Sequence, residues 1–547
     1  MNRHPYALCF AISIAFSFAL MWPLPLGLDT HFTPTAYGLT HVWAADHILQ
    51  SLFSGTDPHS ISTLGYPWIR QAQFIGWGPT IASWPLRVFM GPLGAFQLIA
   101  MLSLPVSAFA AGKFIQSRSR CESMIAAPAG LLFAFSPYAL ATLQTGEVPK
   151  LQLWLIPLFG LTLLAAQHIK SKKTLYFAAV CLITSFTSPY YGLAFPLLTG
   201  VAALVYLRRH QVKTAVALVF GCAAGLLPAL FYYGNAPSGS ASFYRPALSA
   251  PAADSLLPTP HPVASVSDLV FGTRSVSTSP WDTVHESALG LTLLLACGLF
   301  FWSSRQEKRQ GRFLGGFLFC FGILLAVGPK LAFAEHKSNI PMPAKLLEII
   351  HYPLETGGMY YRMVPFAMLG LALILASSLP KGRRGVGLIW LIVGLQTTDA
   401  LRHTGPWPRP IQSVAALDFL NAIQGQDGAI LITPIVASRA PGSAQRAAIR
   451  QTLHQRPETP LPTDMHSYEI HALQRLLNQA LRSTDTAAQL RAEGFRFVFY
   501  QPEKGNAEHR VERDLLMRKL GEPTRQPGFL AWDLGPTELK TRVFDTQ

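Results

Sequence analysis

The chain has 547 residues, half of them hydrophobic and only 13% charged, with a formal net charge of +15. Apolar runs of about 17–22 residues recur along it, which excludes an ordinary multi-domain soluble protein and points to a polytopic membrane protein. The charge does not point to a nucleic-acid partner. The clusters at Arg3, 113–120, 170–173, 208–213, 305–312 and 381–384 hold 17 Lys/Arg against Glu122 and Glu307, so the rest of the chain is neutral. Such clusters are what the positive-inside rule assigns to short cytoplasmic loops.

With those clusters inside, the spans run 6–28, 93–112, 122–139, 150–168, 174–189, 192–207, 213–233, 286–303, 313–328, 361–379 and 385–401, about eleven in all. The first run ends in WPLPLG without a small-residue cleavage pattern and reads as a retained span, not a signal peptide. The first outer loop, 29–75, opens with an amphipathic stretch. Leu39, Val42, Trp43, Leu49, Leu52 and Phe53 share one arc of a helix. Asp46 falls inside that arc, and a carboxylate on a buried face is costly unless it is paired or used. Residues 74–90 are apolar but short and broken by Pro79 and Pro85, as in a re-entrant or interfacial piece.

Further polar stretches, 140–149, 234–285 and 329–360, face the same outer side. The inner loops are short, so any chemistry is expected on the outer face. After a membrane domain of 1–401, residues 402–547 alternate helix-like and strand-like runs, which predicts a soluble α/β domain with a small, largely parallel sheet. The fold class is therefore mainly α, a polytopic membrane helix bundle with a C-terminal α/β domain outside the membrane. The six cysteines fall in apolar segments or beside a basic loop and form no CxxC, so they read as buried apolar thiols.

No GxGxxG, Walker loop, HExxH or GxSxG occurs in a useful context, which leaves an ATP-driven or soluble-cofactor mechanism without support. What remains is a set of ionisable residues at the outer interface: Asp29, Asp46, His47, Asp57, His59, Glu147, Lys150, Glu286 and Arg362. Ionisable residues near membrane depth are functional candidates by default. Each also has a plainer reading. Asp29 closes the first span, Glu147 and Lys150 have i,i+3 spacing for an ion pair, Glu286 suits a helix dipole, and Arg362 suits snorkelling. His41, His47 and His59 lack HxH or HxxxH spacing and read as wet loop histidines rather than metal ligands. No cofactor or metal site is indicated, and a divalent metal is left open.

Several strings occur in a telling order: THVWAADHILQSLFSG, LLFAFSPYALATLQTGEVPKLQLWLIPL, SPYYG, AADSLLPTPHP, HESALGLTLLL, VGPK, IPMPAKLLEIIHYPLETGGMYYRMVPF, LRAEGFRFVFY and GFLAWDL. Taken together they resemble a branch of the bacterial polytopic glycosyltransferases of the GT-C fold. The resemblance implies sugar transfer from a polyprenyl-phosphate donor to a glycan or lipid acceptor on the outer face of the bacterial inner membrane. It also implies a multi-pass chain with a cytoplasmic N-terminus and a periplasmic C-terminus. By the same resemblance, the general base is Asp46, Asp29 or Glu147, and His47, Lys150, Glu286 and Arg362 bind substrate. Relatives often carry a Gly-Asp pair before the aromatic helix, where this chain has Gly38-Leu39. The rival readings are a lipid or glycan transporter or flippase, which would show mid-span charges and broken helix repeats, and a non-catalytic membrane scaffold.

Overall fold

The computed structural model describes residues 4–32, 38–61, 68–71, 76–166, 171–234, 309–326, 330–333, 336–341, 360–404, 412–414, 417–424, 426–433, 467–501, 507–527, 529–539 and 542–543, with the single positions Leu294, Gly298 and Trp407. The first half of the chain is a succession of helices: α1 (His4–Leu20), α2 (Gly38–Ser54), α3 (Trp77–Ser83), α4 (Pro92–Ser119), α5 (Ser123–Ala134), α6 (Pro137–Thr145), α7 (Val148–Leu151), α8 (Leu155–Leu163), α9 (Lys172–Thr187), α10 (Pro189–Arg208) and α11 (Val212–Gly234). There follow α12 (Arg309–Ala326), α13 (Val364–Ser378) and α14 (Arg383–Thr404), then α15 (Leu417–Ala422), α16 (Ser467–Arg482), α17 (Thr486–Ala492) and α18 (Ala507–Leu520) in the tail.

The protein is a multi-pass membrane protein. Helices α4, α10 and α11 are each long and apolar enough to cross a bilayer. A helix also occupies every other span position among the described residues; the position 286–303 lies outside them apart from Leu294 and Gly298. Two boundaries differ from expectation. The first helix ends at Leu20, where Pro23 and Pro25 allow only a short 3₁₀ turn, Leu24–Leu26. The third span bends by 50° between α5 and α6, because Pro137 supplies no N–H and Ser136 starts a new helix by accepting a hydrogen bond from the Ala139 amide.

Small residues let these helices touch backbone to backbone, the usual adhesive where lipid removes any hydrophobic drive between helices. A Cβ on Gly130 would fall on the Ala108 carbonyl between α5 and α4. Gly322 and Gly370 leave the same kind of room between α12 and α13. Cys9, Cys121, Cys181 and Cys222 are buried as expected, whereas Cys320 points outward from α12 and Cys297 lies outside the described residues.

The basic loops after α4, before α12 and before α14 meet at one end of the bundle. The Glu122 carboxylate accepts the Gly382 amide, Gly311 packs against Ser119 and Ser377, and the Lys113 ammonium lies 3.8 Å above the Tyr6 ring. At the other end the first outer loop meets the loop around Pro149, and the tail is stitched to the first outer loop. Strand β1 (His31–Phe32) and strands β2 (Ser60–Ile61) and β3 (Trp68–Gln71) belong to the first outer loop. A hairpin of β4 (Lys330–Phe333) and β5 (His336–Pro341) follows much later in the chain. From the tail, β6 (Gln412–Ser413) pairs with β1, and the Val414 amide donates to the Thr30 carbonyl at 2.9 Å.

The tail also folds a four-stranded sheet from β7 (Ala429–Thr433), β8 (Phe495–Tyr500), β9 (Thr524–Gln526) and β10 (Phe529–Asp533), in the order β7-β8-β10-β9. Its α16–α18 face packs Leu473, Leu477, Leu490 and Leu516, and its other face packs Leu420 and Ile423 of α15 onto Phe497 and Phe499. The sheet is mixed, not largely parallel. Only β7 and β8, separated by helices, are parallel, whereas β9 and β10 are joined by a turn too short for a crossover and must be antiparallel, as are β10 and β8. The last strand, β11 (Arg542–Val543), leaves this sheet and pairs in parallel with β3.

Candidate functional site

One end of the helix bundle carries two charged centres, both beside α2. The first is built on Glu147. Gly146, at φ 71°, closes α6 in a left-handed turn that few other residues adopt without strain, and it leaves Glu147 at the head of α7. One turn on, the Lys150 ammonium pairs with the Glu147 carboxylate at 2.7 Å. Arg362 arrives from a distant part of the chain, on the 3₁₀ turn Tyr360–Met363 before α13, and places a guanidinium nitrogen 3.9 Å from the same oxygen. Lys150 and Arg362 are both buried, so the Arg362 side chain does not snorkel.

Aromatic residues frame this centre. The Arg362 guanidinium lies 3.6 Å from the centroid of the Tyr190 ring, a stacked cation–π contact. The Tyr191 hydroxyl donates to the Lys150 carbonyl at 2.7 Å and lies 3.0 Å from the Tyr138 hydroxyl. These tyrosines come from two Ser-Pro-Tyr starts, at 136–138 and 188–190, in which proline opens α6 and α10. His41 of α2 completes the group: it is 5% exposed and stacks on Phe96. Burial pushes its imidazole down to about 4, opposed by Glu147 and reinforced by Lys150 and Arg362, so it is neutral at pH 7. Burial by itself would raise the Glu147 carboxyl; Lys150 and then Arg362 outweigh it and hold Glu147 below the usual carboxylate range.

The second centre is Asp46. Leu39, Val42, Trp43 and Leu49 of α2 face inward as the periodicity predicts, and Asp46 is buried among them at 3% exposure. Leu52 and Phe53, at the end of the same arc, are exposed, because α2 runs past the bundle there. The cost of burying Asp46 is met by pairing. Its Oδ1 forms an ion pair with Arg87, and its Oδ2 accepts from Gln50 Nε2 at 2.8 Å. Arg87 sits in the piece expected to be interfacial, here α3 followed by the 3₁₀ turn Trp84–Val88 with Trp84, Val88 and Phe89 exposed. His41 and Asp46 are five residues apart, which separates the two centres by a rise of about 7.5 Å along α2.

The other candidates lie elsewhere. Asp29 is exposed, its carboxylate against Gly91 and Gly94 at the start of α4, the geometry of a helix-dipole partner. His47 is taken up by the Pro58 carbonyl, 3.1 Å from Nε2, and by stacking on Trp43. Asp57 accepts the His59 amide in an exposed turn. Glu286 lies outside the described residues. Among the described residues, no group of three or more His, Cys, Asp or Glu side chains is placed to hold a metal ion.

This helical arrangement has a counterpart in a solved structure. The arabinofuranosyltransferase AftD from Mycobacteria superposes with a TM-score of 0.56 at 16% sequence identity, over 99% of this chain and 42% of that one. The chain has the GT-C fold. It spans about two fifths of the length of AftD. Looser likenesses extend to the ArnT of Cupriavidus metallidurans, solved with undecaprenyl phosphate (TM-score 0.41, 11% identity, 96% of this chain and 98% of that one), and to the oligosaccharyltransferase AglB of Archaeoglobus fulgidus, solved with an inhibitory peptide and a dolichol-phosphate (0.45, 11%, 91% and 69%). No protein-family model matches the sequence, and no curated protein matches it by sequence.

Within the GT-C fold, the sequence reading missed Arg87, Gln50, His41, Tyr190 and Tyr191. A signal existed for the tyrosines, in the repeated Ser-Pro-Tyr. Nothing in the sequence marks Arg87, and His41 read as a wet loop histidine; only their neighbours in space distinguish them.

Proposed function

We propose that the protein is a membrane glycosyltransferase that moves a sugar from a polyprenyl-phosphate donor to an acceptor on the outer face of the bacterial inner membrane, with its N-terminus cytoplasmic and its tail periplasmic. The observation that carries this reading is the convergence of Lys150 and Arg362 on one buried point beside the Asp46 helix, in a GT-C fold. A lipid phosphate reaching the outer interface needs cations that are already desolvated, where a charge-assisted hydrogen bond is strong. Lys150 and Arg362 meet that need, and Glu147 offsets one of their two positive charges while no phosphate is bound.

Displacement at the anomeric carbon requires the leaving phosphate and the attacking hydroxyl on opposite sides of the sugar. Asp46, about 7.5 Å along α2 from the level of His41, stands far enough from the phosphate position for a sugar carbon to lie between. Gln50 and Arg87 fix the position of the Asp46 carboxylate, which takes the proton of the acceptor hydroxyl. Glu147 is the second carboxylate of the site and orients Lys150. Asp29 supports α4.

The test is a strain lacking the protein, complemented with wild type, Lys150→Met or Arg362→Met. The lipid-linked sugar pool is read by mass spectrometry. A polyprenyl-phosphate sugar is expected to accumulate without the protein and with either variant. If both variants clear the pool as the wild type does, the phosphate assignment is wrong. If no such pool ever builds up, the donor class is wrong.

A further inference from the structure

A second set of side chains beside the charged centres is not used by this mechanism. Five rings meet where the first outer loop, α3, α9 and α11 come together. The Tyr232 ring lies 5.3 Å from His59, 6.2 Å from Trp77, 5.5 Å from Phe186 and 4.9 Å from Tyr233, centroid to centroid. All five are half-buried, neither sealed in the core nor laid open to lipid. The Trp77 indole Nε1 is itself buried and has no hydrogen-bond partner among the described residues. A buried N–H without an acceptor is destabilising, and tryptophan normally avoids this by finding a partner.

The cluster adjoins the charged centre. Gly76, just before Trp77, packs against Pro149, the residue preceding Lys150, and Gly78 packs against Thr187, the residue following Phe186. Helix α3 is thereby held at a fixed distance from Glu147 at one end, while the turn that follows it carries Arg87 to Asp46. Larger residues at 76 or 78 would push the rings away from the centre.

A sugar ring presents a flat C–H face and a rim of hydroxyls, and half-buried aromatic rings with an unsatisfied N–H match both parts. An isoprenoid chain would cover the rings but give the Trp77 N–H nothing to bond. We propose that the His59, Trp77, Phe186, Tyr232 and Tyr233 cluster is a carbohydrate subsite and that the acceptor is accordingly a glycan. The proposal rests on the transferase reading for the word acceptor, and on the ring cluster alone for carbohydrate binding.

The experiment applies the full chain, in lipid nanodiscs, to an array of immobilised mono- to tetrasaccharides of mannose, arabinose, glucose, galactose and N-acetylglucosamine. The wild type should be retained on a subset of these glycans. Trp77→Phe, which keeps a ring and removes the N–H, should bind about tenfold more weakly, the loss of roughly one hydrogen bond. Trp77→Ala with Tyr232→Ala should bind none of them while eluting as a folded particle. Retention on no glycan, or equal retention of the Trp77→Ala protein, overturns the proposal. Glycan retention with an unchanged lipid-linked sugar pool would leave the subsite standing and sink the transferase reading instead.

Discussion

Replacing Asp46 by Asn separates a catalytic role from a structural one. The two oxygens of Asp46 face two donors, Arg87 at Oδ1 and Gln50 at Oδ2. Whichever way the Asn amide turns, its NH2 group meets a donor, so one contact becomes repulsive and the Arg87 charge loses its partner. Breaking a fully buried pair costs about 3–5 kcal/mol. Arg87 is 16% exposed and recovers some hydration, so the lower end, about 3 kcal/mol, is expected here. Loss of a general base lowers the transfer rate by about 10²–10⁴. The double variant Asp46→Asn with Arg87→Met removes both charges, and such paired removal is often close to neutral for stability. The expected outcome is that thermal stability in detergent returns close to wild type in the double variant, while sugar transfer in proteoliposomes stays at least about 10²-fold down. If transfer recovers together with stability, Asp46 is only an anchor for Arg87. If Asp46→Asn alone transfers at the wild-type rate, it is neither.

Acidification tests the Glu147 centre. The folded chain keeps His41 neutral down to about pH 4, whereas the unfolded imidazole takes its proton near 6.5. Between those values the unfolded state binds the extra proton, so stability falls as pH falls, by up to about 1.4 kcal/mol per pH unit. Glu147, held below the usual carboxylate range, adds a loss of the same sign at lower pH, as it is protonated. A plot of unfolding midpoint against pH should therefore slope downward below pH 6.5, and His41→Gln should flatten it; an unchanged slope would mean that His41 is hydrated. Truncation before residue 540 removes the β11 partner of β3 and should cost about 1–2 kcal/mol for the lost backbone hydrogen bonds. The readouts are the unfolding midpoint and the transfer rate, and no change in either would show that the tail strand does not hold the first outer loop. Asp29→Asn should cost only about 0.3–1 kcal/mol, the worth of a dipole partner at the start of α4. A large loss of transfer with normal stability would restore Asp29 as a candidate base.

Much of the bundle was legible in the residues themselves. Apolar length and the clustering of Lys and Arg are local properties, and they place α4, α10, α11 and the loops at their ends without knowledge of any contact. The burial of Asp46 was legible for the same reason, since helical periodicity puts it on the arc of Val42 and Trp43. Helix–strand alternation likewise anticipated the elements of the tail, although not the direction of its last hairpin. Where the periodic signal ended, at Leu52 and Phe53, the expectation of burial failed, because whether a helix end is covered depends on what packs beside it.

The partners were a different matter. Glu147 and Lys150 have pairing distance written into their spacing, but Arg362 joins them only because the turn before α13 reaches the same end of the bundle. Arg87 meets Asp46 only because α3 folds back along α2, and Trp77 meets His59 and Tyr232 only because α3, the first outer loop and α11 come together. By itself the sequence determined that α4, α10 and α11 are long and apolar enough to cross a bilayer and that Asp46 lies on a buried face, because both follow from the period and polarity of neighbouring residues. Tertiary structure alone decided what each buried charge faces, because that pairing is set by the packing of helices far apart in the chain.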